Sequence, residues 1–76
     1  MTPVEVFAEA VAGSKIRYGS PGFPIVVTIG FIAPNGVTKY AHGVEEGTER
    51  KVFLILEGTL LKDSHRGCFD EVEIIA

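Results

Sequence analysis

The sequence predicts an α+β domain, in which a short N-terminal helix packs on a mostly antiparallel sheet of about five strands. Three observations predict this class. Residues 2–12 carry helix signals, residues after Gly13 form short apolar or alternating runs, and Gly- and Pro-containing turns separate those runs. The connections are too short for parallel crossovers. With 76 residues the chain makes one domain, 1–76, whose sheet can also curl into a small half-barrel.

The helix prediction comes from its first residues. Thr2 suits the N-cap, Pro3 the first helical position, and Glu5 completes a capping box with Thr2. Gly13 is placed to end the helix. The predicted apolar face has the i, i+3, i+4, i+7 spacing and consists of Val4, Phe7, Ala8 and Val11.

The strands are predicted from alternation, β-branched residues and turn signals. Asn35-Gly36 is a strong hairpin signal between two of them. Lys51–Leu61 also fits a helix, but its β-branched and aromatic residues and the interior Gly58 favour a strand that bends or bulges at Gly58. The predicted strands are Lys15–Tyr18, Pro24–Ala33, Val37–Val44, Lys51–Leu61 and Cys68–Ala76, the last with Val72 and Ile74 facing inward.

Two of these strands are apolar on both sides. In the first, one face holds Ile25, Val27, Ile29 and Phe31, and the other holds Val26, Thr28 and Ile32. In the second, Val52, Leu54 and Leu56 oppose Phe53 and Ile55. A ten-residue helix is only about 15 Å long and covers part of one sheet face. The other face therefore needs either curvature of the sheet or another protein chain.

We expect a second copy of the chain to supply some of that cover. The predicted function is a non-enzymatic interaction or assembly module acting as a homo-oligomer, a dimer or higher, with a different protein as the other kind of partner. Phe23, between two prolines, would make a rigid apolar contact, and Tyr40 and His42 share a strand face. The predicted interaction surface consists of Phe23, Tyr40, His42, Phe53 and Ile55.

Composition and charge limit the other partners. Seven Lys and Arg residues are scattered along a chain of net charge −3, which disfavours tight nucleic-acid binding. The alternative function is nevertheless a small β-barrel that binds nucleic acid through aromatic rings and a positive groove. No apolar run reaches the roughly 20 residues needed to cross a bilayer. One cysteine and the lack of a signal-like segment predict a cytoplasmic protein without membrane association.

The stretch from Asp63 to Glu71 holds the only cysteine, Cys68, together with His65. Asp63, His65 and Cys68 are the candidates for a Cys/His-dependent enzyme or a metal site, since a neighbouring cation would activate the thiol. One Cys and two isolated His do not form a recognisable zinc set. The favoured interpretation is a polar turn held by the Asp63 side chain, followed by a small buried cysteine. No cofactor and no metal is predicted.

Overall fold

A computed structural model of the protein describes residues 1–33 and 40–76. Within them, one helix is followed by a seven-stranded antiparallel sheet, which confirms the α+β class with two more strands than the sequence predicts. The predicted Asn35-Gly36 turn lies outside the described residues. The helix α1 is Pro3–Glu9, and the strands are β1 (Lys15–Ser20), β2 (Phe23–Ile32), β3 (Tyr40–Glu45), β4 (Lys51–Glu57), β5 (Leu60–Asp63), β6 (Gly67–Phe69) and β7 (Val72–Ile74).

Helix α1 begins as predicted and packs through a different face. The Thr2 hydroxyl accepts from the backbone N–H of Glu5, and the Glu5 carboxylate accepts from the backbone N–H of Thr2. This bond to the Thr2 backbone lowers the pKa of Glu5. The buried positions are Pro3, Val6, Phe7 and Ala10, whereas Val4 and Val11 are exposed. The predicted and the observed buried faces both have helical spacing. The observed face is the one buried because it contacts β4, β5 and β7.

The sheet is curled until its two ends nearly meet. Its strand order is β6-β5-β4-β3-β2-β1-β7, so β6 and β1 are five strands apart. In a flat sheet that separation is roughly 24 Å. The rings of Tyr18 on β1 and Phe69 on β6 nevertheless lie 4.9 Å apart between centroids. The sheet is therefore a nearly closed barrel, and its inner side holds the core.

The segment Lys51–Leu61 is a hairpin, not the single bent strand that the sequence predicts. Strand β4 pairs with β5, and Glu57 lies opposite Leu60. The two residues between them, Gly58 and Thr59, form the turn, and Gly58 has a φ of +65°. A residue without a Cβ adopts that backbone conformation at low cost, so Gly58 reverses the chain there.

The predicted closing strand Cys68–Ala76 is also divided. Its first part, β6, pairs with β5, and its second part, β7, pairs with β1 at the opposite end of the strand order. Only Asp70 and Glu71 connect them. Three residue steps, from Phe69 to Val72, span at most about 10 Å, so this connection requires the curled sheet. Val72 is buried and Ile74 packs against the core, as predicted.

A β-bulge in β2 changes which side chains face inward. Val27 and Ile29 are buried, and the pairing with β3 then shifts between Ile29 and Phe31. Beyond this bulge Ile32 packs against the core, while Phe31 is 43% exposed on the outer side. The assignment of Phe31 and Ile32 by simple alternation was therefore wrong. One extra residue in a strand reverses the faces of everything that follows it.

The core lies inside the barrel and beneath α1. Its members include Val27, Val52, Leu54 and Leu61, each without exposed surface. In the part of the chain that the structure describes, no helix has the length and apolar character needed to cross a bilayer.

Candidate functional site

Four aromatic rings and one aliphatic side chain form a continuous cluster on the outer side of β2, β3 and β4. We call this cluster the outer patch, and it consists of Phe31, Tyr40, His42, Phe53 and Ile55. The pairing of the strands creates it, because Phe31, His42 and Phe53 are successive cross-strand partners, and Tyr40 pairs with Ile55 in the next row. Side chains in such positions are neighbours on one face of a sheet.

The rings of the outer patch are in contact with one another. The His42 imidazole stacks on Phe31 with a centroid distance of 5.4 Å and lies 6.0 Å from Phe53. Tyr40 lies 5.9 Å from His42, 6.1 Å from Phe31 and 6.4 Å from Phe53. These distances are typical of interacting aromatic pairs, so the outer patch is a preformed surface.

The outer patch is exposed despite its apolar character. Phe31, Phe53 and Ile55 are 43%, 41% and 39% exposed, and Tyr40 and His42 are half-buried. Since a large side chain has about 150–250 Å² of surface, the five members together leave roughly 300 Å² accessible. The largest apolar patch of a typical monomer measures about 300–600 Å² and is often functional.

The sequence predicted four of these five residues and missed Phe31. Alternation from Val27 and Ile29 places Phe31 inside, and only the bulge moves it to the outer side. Gly30 is the signal that could have shown this, because an isolated glycine within a strand often marks a bulge.

Phe23, the fifth predicted interaction residue, is not part of the outer patch. It is 83% exposed at the start of β2, beside the two-residue turn Pro21-Gly22. Eight residues separate Phe23 from Phe31 along the same strand, a span of roughly 26 Å. The two exposed rings therefore belong to different regions of the surface.

Ion pairs occupy the outer surface around the outer patch. Lys15 pairs with Glu46 at 3.0 Å, and Lys62 pairs with Glu57 at 3.4 Å. The Lys51 ammonium lies 5.9 Å from the centre of the Phe53 ring, in the range of a cation–π contact. In the described part of the chain no carboxylate forms an ion pair with Lys51.

The structure does not bring Asp63, His65 and Cys68 together. The Asp63 side chain points into the barrel, whereas Cys68 is exposed opposite Lys62 on the outer side, and His65 is exposed in the turn between β5 and β6. The prediction of a buried Cys68 was wrong, because Cys68 lies on the outer side of β6 opposite the exposed Lys62, whereas the next residue, Phe69, packs against the core. Among residues 1–33 and 40–76, no group of three His, Cys, Asp or Glu side chains could hold a metal ion.

Asp63 holds the turn as the favoured interpretation predicted, and it also closes the barrel. Its carboxylate accepts from the backbone N–H of His65 at 2.8 Å and from the Tyr18 hydroxyl at 2.5 Å. Arg66 donates to the same carboxylate at 3.3 Å and approaches Glu45 to 2.7 Å, a separation typical of an ion pair. Burial, and then the bond to Asp63, raises the pKa of Tyr18 well above its usual range. This network is structural, since the Asp63 carboxylate and the Tyr18 hydroxyl find their partners inside the protein.

A groove of about 570 Å³ lies between the β1–β2 turn and the start of β7. It is lined by Arg17, Pro24 and Glu73, among others, and Arg17 forms an ion pair with Glu73 across β1 and β7. Arg17 and Glu73 therefore neutralise each other in this groove, and the outer patch remains the candidate site.

Comparison of the chain with protein-family models, with curated proteins and with solved structures finds no match.

Proposed function

We propose that this protein is a self-association module, in which the outer patch of one copy packs against the outer patch of a second copy. The observation that carries this proposal is the contiguous exposure of Phe31, Phe53 and Ile55 beside Tyr40 and His42. Leaving such a surface in water forgoes the free energy that its burial would release. A second copy is always present at the concentration of the first and offers the same surface.

The size of the outer patch suits a small dimer contact. Two outer patches of roughly 300 Å² each, with the polar side chains around them, reach about 1,000 Å² of buried surface, the low end of specific interfaces. The outer side of a barrel is convex, so the contact does not extend far around it. We therefore expect a reversible dimer.

The charges favour protein over nucleic acid as the partner. Lys15, Arg17 and Lys62 each have a carboxylate partner. A phosphate backbone would have to displace those carboxylates before it gained the cations. Among the described residues, the exposed rings beside Lys51 are a feature that single-stranded nucleic acid would also use, by base stacking.

The test compares the wild type with two single variants in sedimentation velocity, from about 1 µM to about 1 mM. Wild type should pass from monomer to dimer in this range. Phe53→Glu should stay monomeric, because it places a charge within the outer patch. Phe23→Ser is the matched control, since it removes an exposed ring elsewhere and should leave the dimer unchanged. Circular dichroism verifies that both variants fold.

Three outcomes would overturn the proposal. A wild type that remains monomeric throughout, or a Phe53→Glu protein that dimerises like wild type, contradicts it directly. Saturable binding of single-stranded oligonucleotides by a monomer at low salt, abolished by Phe53→Glu, would instead assign the outer patch to nucleic acid.

A further inference from the structure

The outer side of β4 carries a charge at each end and apolar side chains between them. Lys51, Phe53, Ile55 and Glu57 alternate with the core residues Val52 and Leu54 and the partly buried Leu56. Six residue steps separate Lys51 from Glu57, a span of roughly 20 Å. Because β4 is the third of seven strands and β3 the fourth, this row lies at the middle of the sheet. Two barrels that touch through their outer patches meet along it.

The charges and apolar side chains of this row match those of a second, antiparallel copy of the same row. Consider a two-fold axis that lies between the two sheets, perpendicular to the strands, and passes over Leu54 of β4. It exchanges position 51 with position 57 and position 53 with position 55. Lys51 of one copy then faces Glu57 of the other, and Phe53 faces Ile55, twice in each dimer. A two-fold axis parallel to the strand places Lys51 on Lys51 and Glu57 on Glu57, so like charges meet.

From this pattern we infer that two copies pair face to face with their β4 strands antiparallel, joined by Lys51–Glu57 contacts at both ends of a Phe53–Ile55 centre. The inference rests on the proposed function and specifies the geometry of that same site. Isologous contacts of this kind are the commonest form of protein dimer. In the aligned class of sheet packing, strands stay within about 30° of parallel or antiparallel, which preserves the match at the centre.

The surroundings of the two charges are consistent with this register. Lys51 has no carboxylate partner within the described residues of its own copy, so it is free to take one from the second copy. Glu57 contacts Lys62 through one oxygen, Oε2, at 3.4 Å and is half-exposed, so its other oxygen remains available. On β3 the same axis passes Ala41, the partner of Leu54, and places Tyr40 opposite His42 of the second copy.

Charge reversal distinguishes the two registers. In the antiparallel register, Lys51→Glu creates two Glu–Glu contacts per dimer and Glu57→Lys creates two Lys–Lys contacts. We expect each single variant to raise the dimer dissociation constant about tenfold or more, measured by sedimentation equilibrium. The double variant Lys51→Glu/Glu57→Lys exchanges the two charges and should return to within about threefold of wild type.

Lys15→Glu is the matched control, because it reverses a charge on the same outer side that already pairs with Glu46 within one copy. It should leave the dissociation constant unchanged. Glu57→Lys also places a lysine beside Lys62 of the same copy. Combining it with Lys62→Gln removes that repulsion, and the dimer should still be weakened in the combined variant.

The readout separates this inference from the proposed function. If wild type dimerises but both single reversals bind as wild type does, the antiparallel register is wrong and the self-association stands. If the single reversals weaken the dimer and the double variant stays weak, the Lys51–Glu57 pairing is wrong. A wild type that never dimerises overturns the proposed function itself.

Discussion

The carboxylate of Asp63 lies inside the barrel with only 1% of the residue exposed. A buried carboxylate is costly unless hydrogen bonds and an opposite charge compensate it. Here the Tyr18 hydroxyl, the His65 backbone N–H and the Arg66 guanidinium all reach it. Tyr18 and Asp63 are 45 residues apart, so their bond holds β1 to β5 across the barrel interior.

Tyr18→Phe should lower the free energy of unfolding by about 1–3 kcal/mol, because it removes a donor from a buried carboxylate. The raised pKa of Tyr18 makes the free energy of unfolding depend on pH in the alkaline range. Above about pH 10 an unfolded tyrosine loses its proton while the folded Tyr18 keeps it, so wild-type stability falls by up to about 1.4 kcal/mol per pH unit. Urea titrations between pH 8 and pH 11 should show a shallower alkaline loss for Tyr18→Phe.

Tyr40→Phe serves as the control, since Tyr40 lies on the outer side and has no role in this network. It should change the free energy of unfolding little. Equal stability of Tyr18→Phe and wild type at pH 8 would show that the buried hydrogen bond contributes nothing.

At the scale of elements, the β2–β3 pair decides the shape of the outer patch. Its register shift puts Phe31 beside His42 and brings the β2 backbone over Gly43. A Cβ at Gly43 would overlap the carbonyl of Thr28 and press on Val27. Position 43 therefore requires a residue without a side chain, because the register shift in β2 brings the two backbones close together there.

Gly43→Ala should destabilise the protein by about 2–3 kcal/mol or more, because the overlapping atoms belong to the backbone and cannot move aside cheaply. The midpoint of urea unfolding measures this change. Gly22→Ala is the matched control, since no atom lies within 4 Å of its Cβ and its backbone is outside the left-handed region. A change below about 1 kcal/mol is expected there. Similar values for both variants would contradict the close approach at Gly43.

At the scale of the whole molecule, a 76-residue chain has little core, and self-association would add to its stability. A dimer that dissociates on unfolding becomes more stable as its concentration rises. Under the proposed self-association, the outer patch would therefore link assembly to folding.

A tenfold increase in concentration should stabilise each wild-type protomer by about 0.7 kcal/mol once the protein is mostly dimeric. For a chain of this length, that raises the Tm by about 3–5 °C. Phe53→Glu should unfold at one temperature regardless of concentration. Differential scanning calorimetry at three concentrations measures both, and a wild-type Tm independent of concentration would show that folding and assembly are uncoupled.

Local sequence signals predicted much of the fold. The capping box of Thr2 and Glu5 starts the helix, alternation identifies the strand Lys15–Tyr18, and β-branched and aromatic residues favour a strand after Lys51. Four residues of the outer patch follow from the two-residue period of the predicted strands Val37–Val44 and Lys51–Leu61. Such signals depend on neighbours a few positions apart, which the sequence displays directly.

Tertiary contacts decided the remainder. The bulge that exposes Phe31, the choice of Val6 over Val4 as the buried helix residue, and the division of the last strand all depend on partners distant in the chain. The sequence alone determined that this protein has a helix, a β-rich body and surplus apolar surface. Only the curled sheet decided that the surplus gathers on one outer face, because side chains from β2, β3 and β4 become neighbours only when those strands pair in one register.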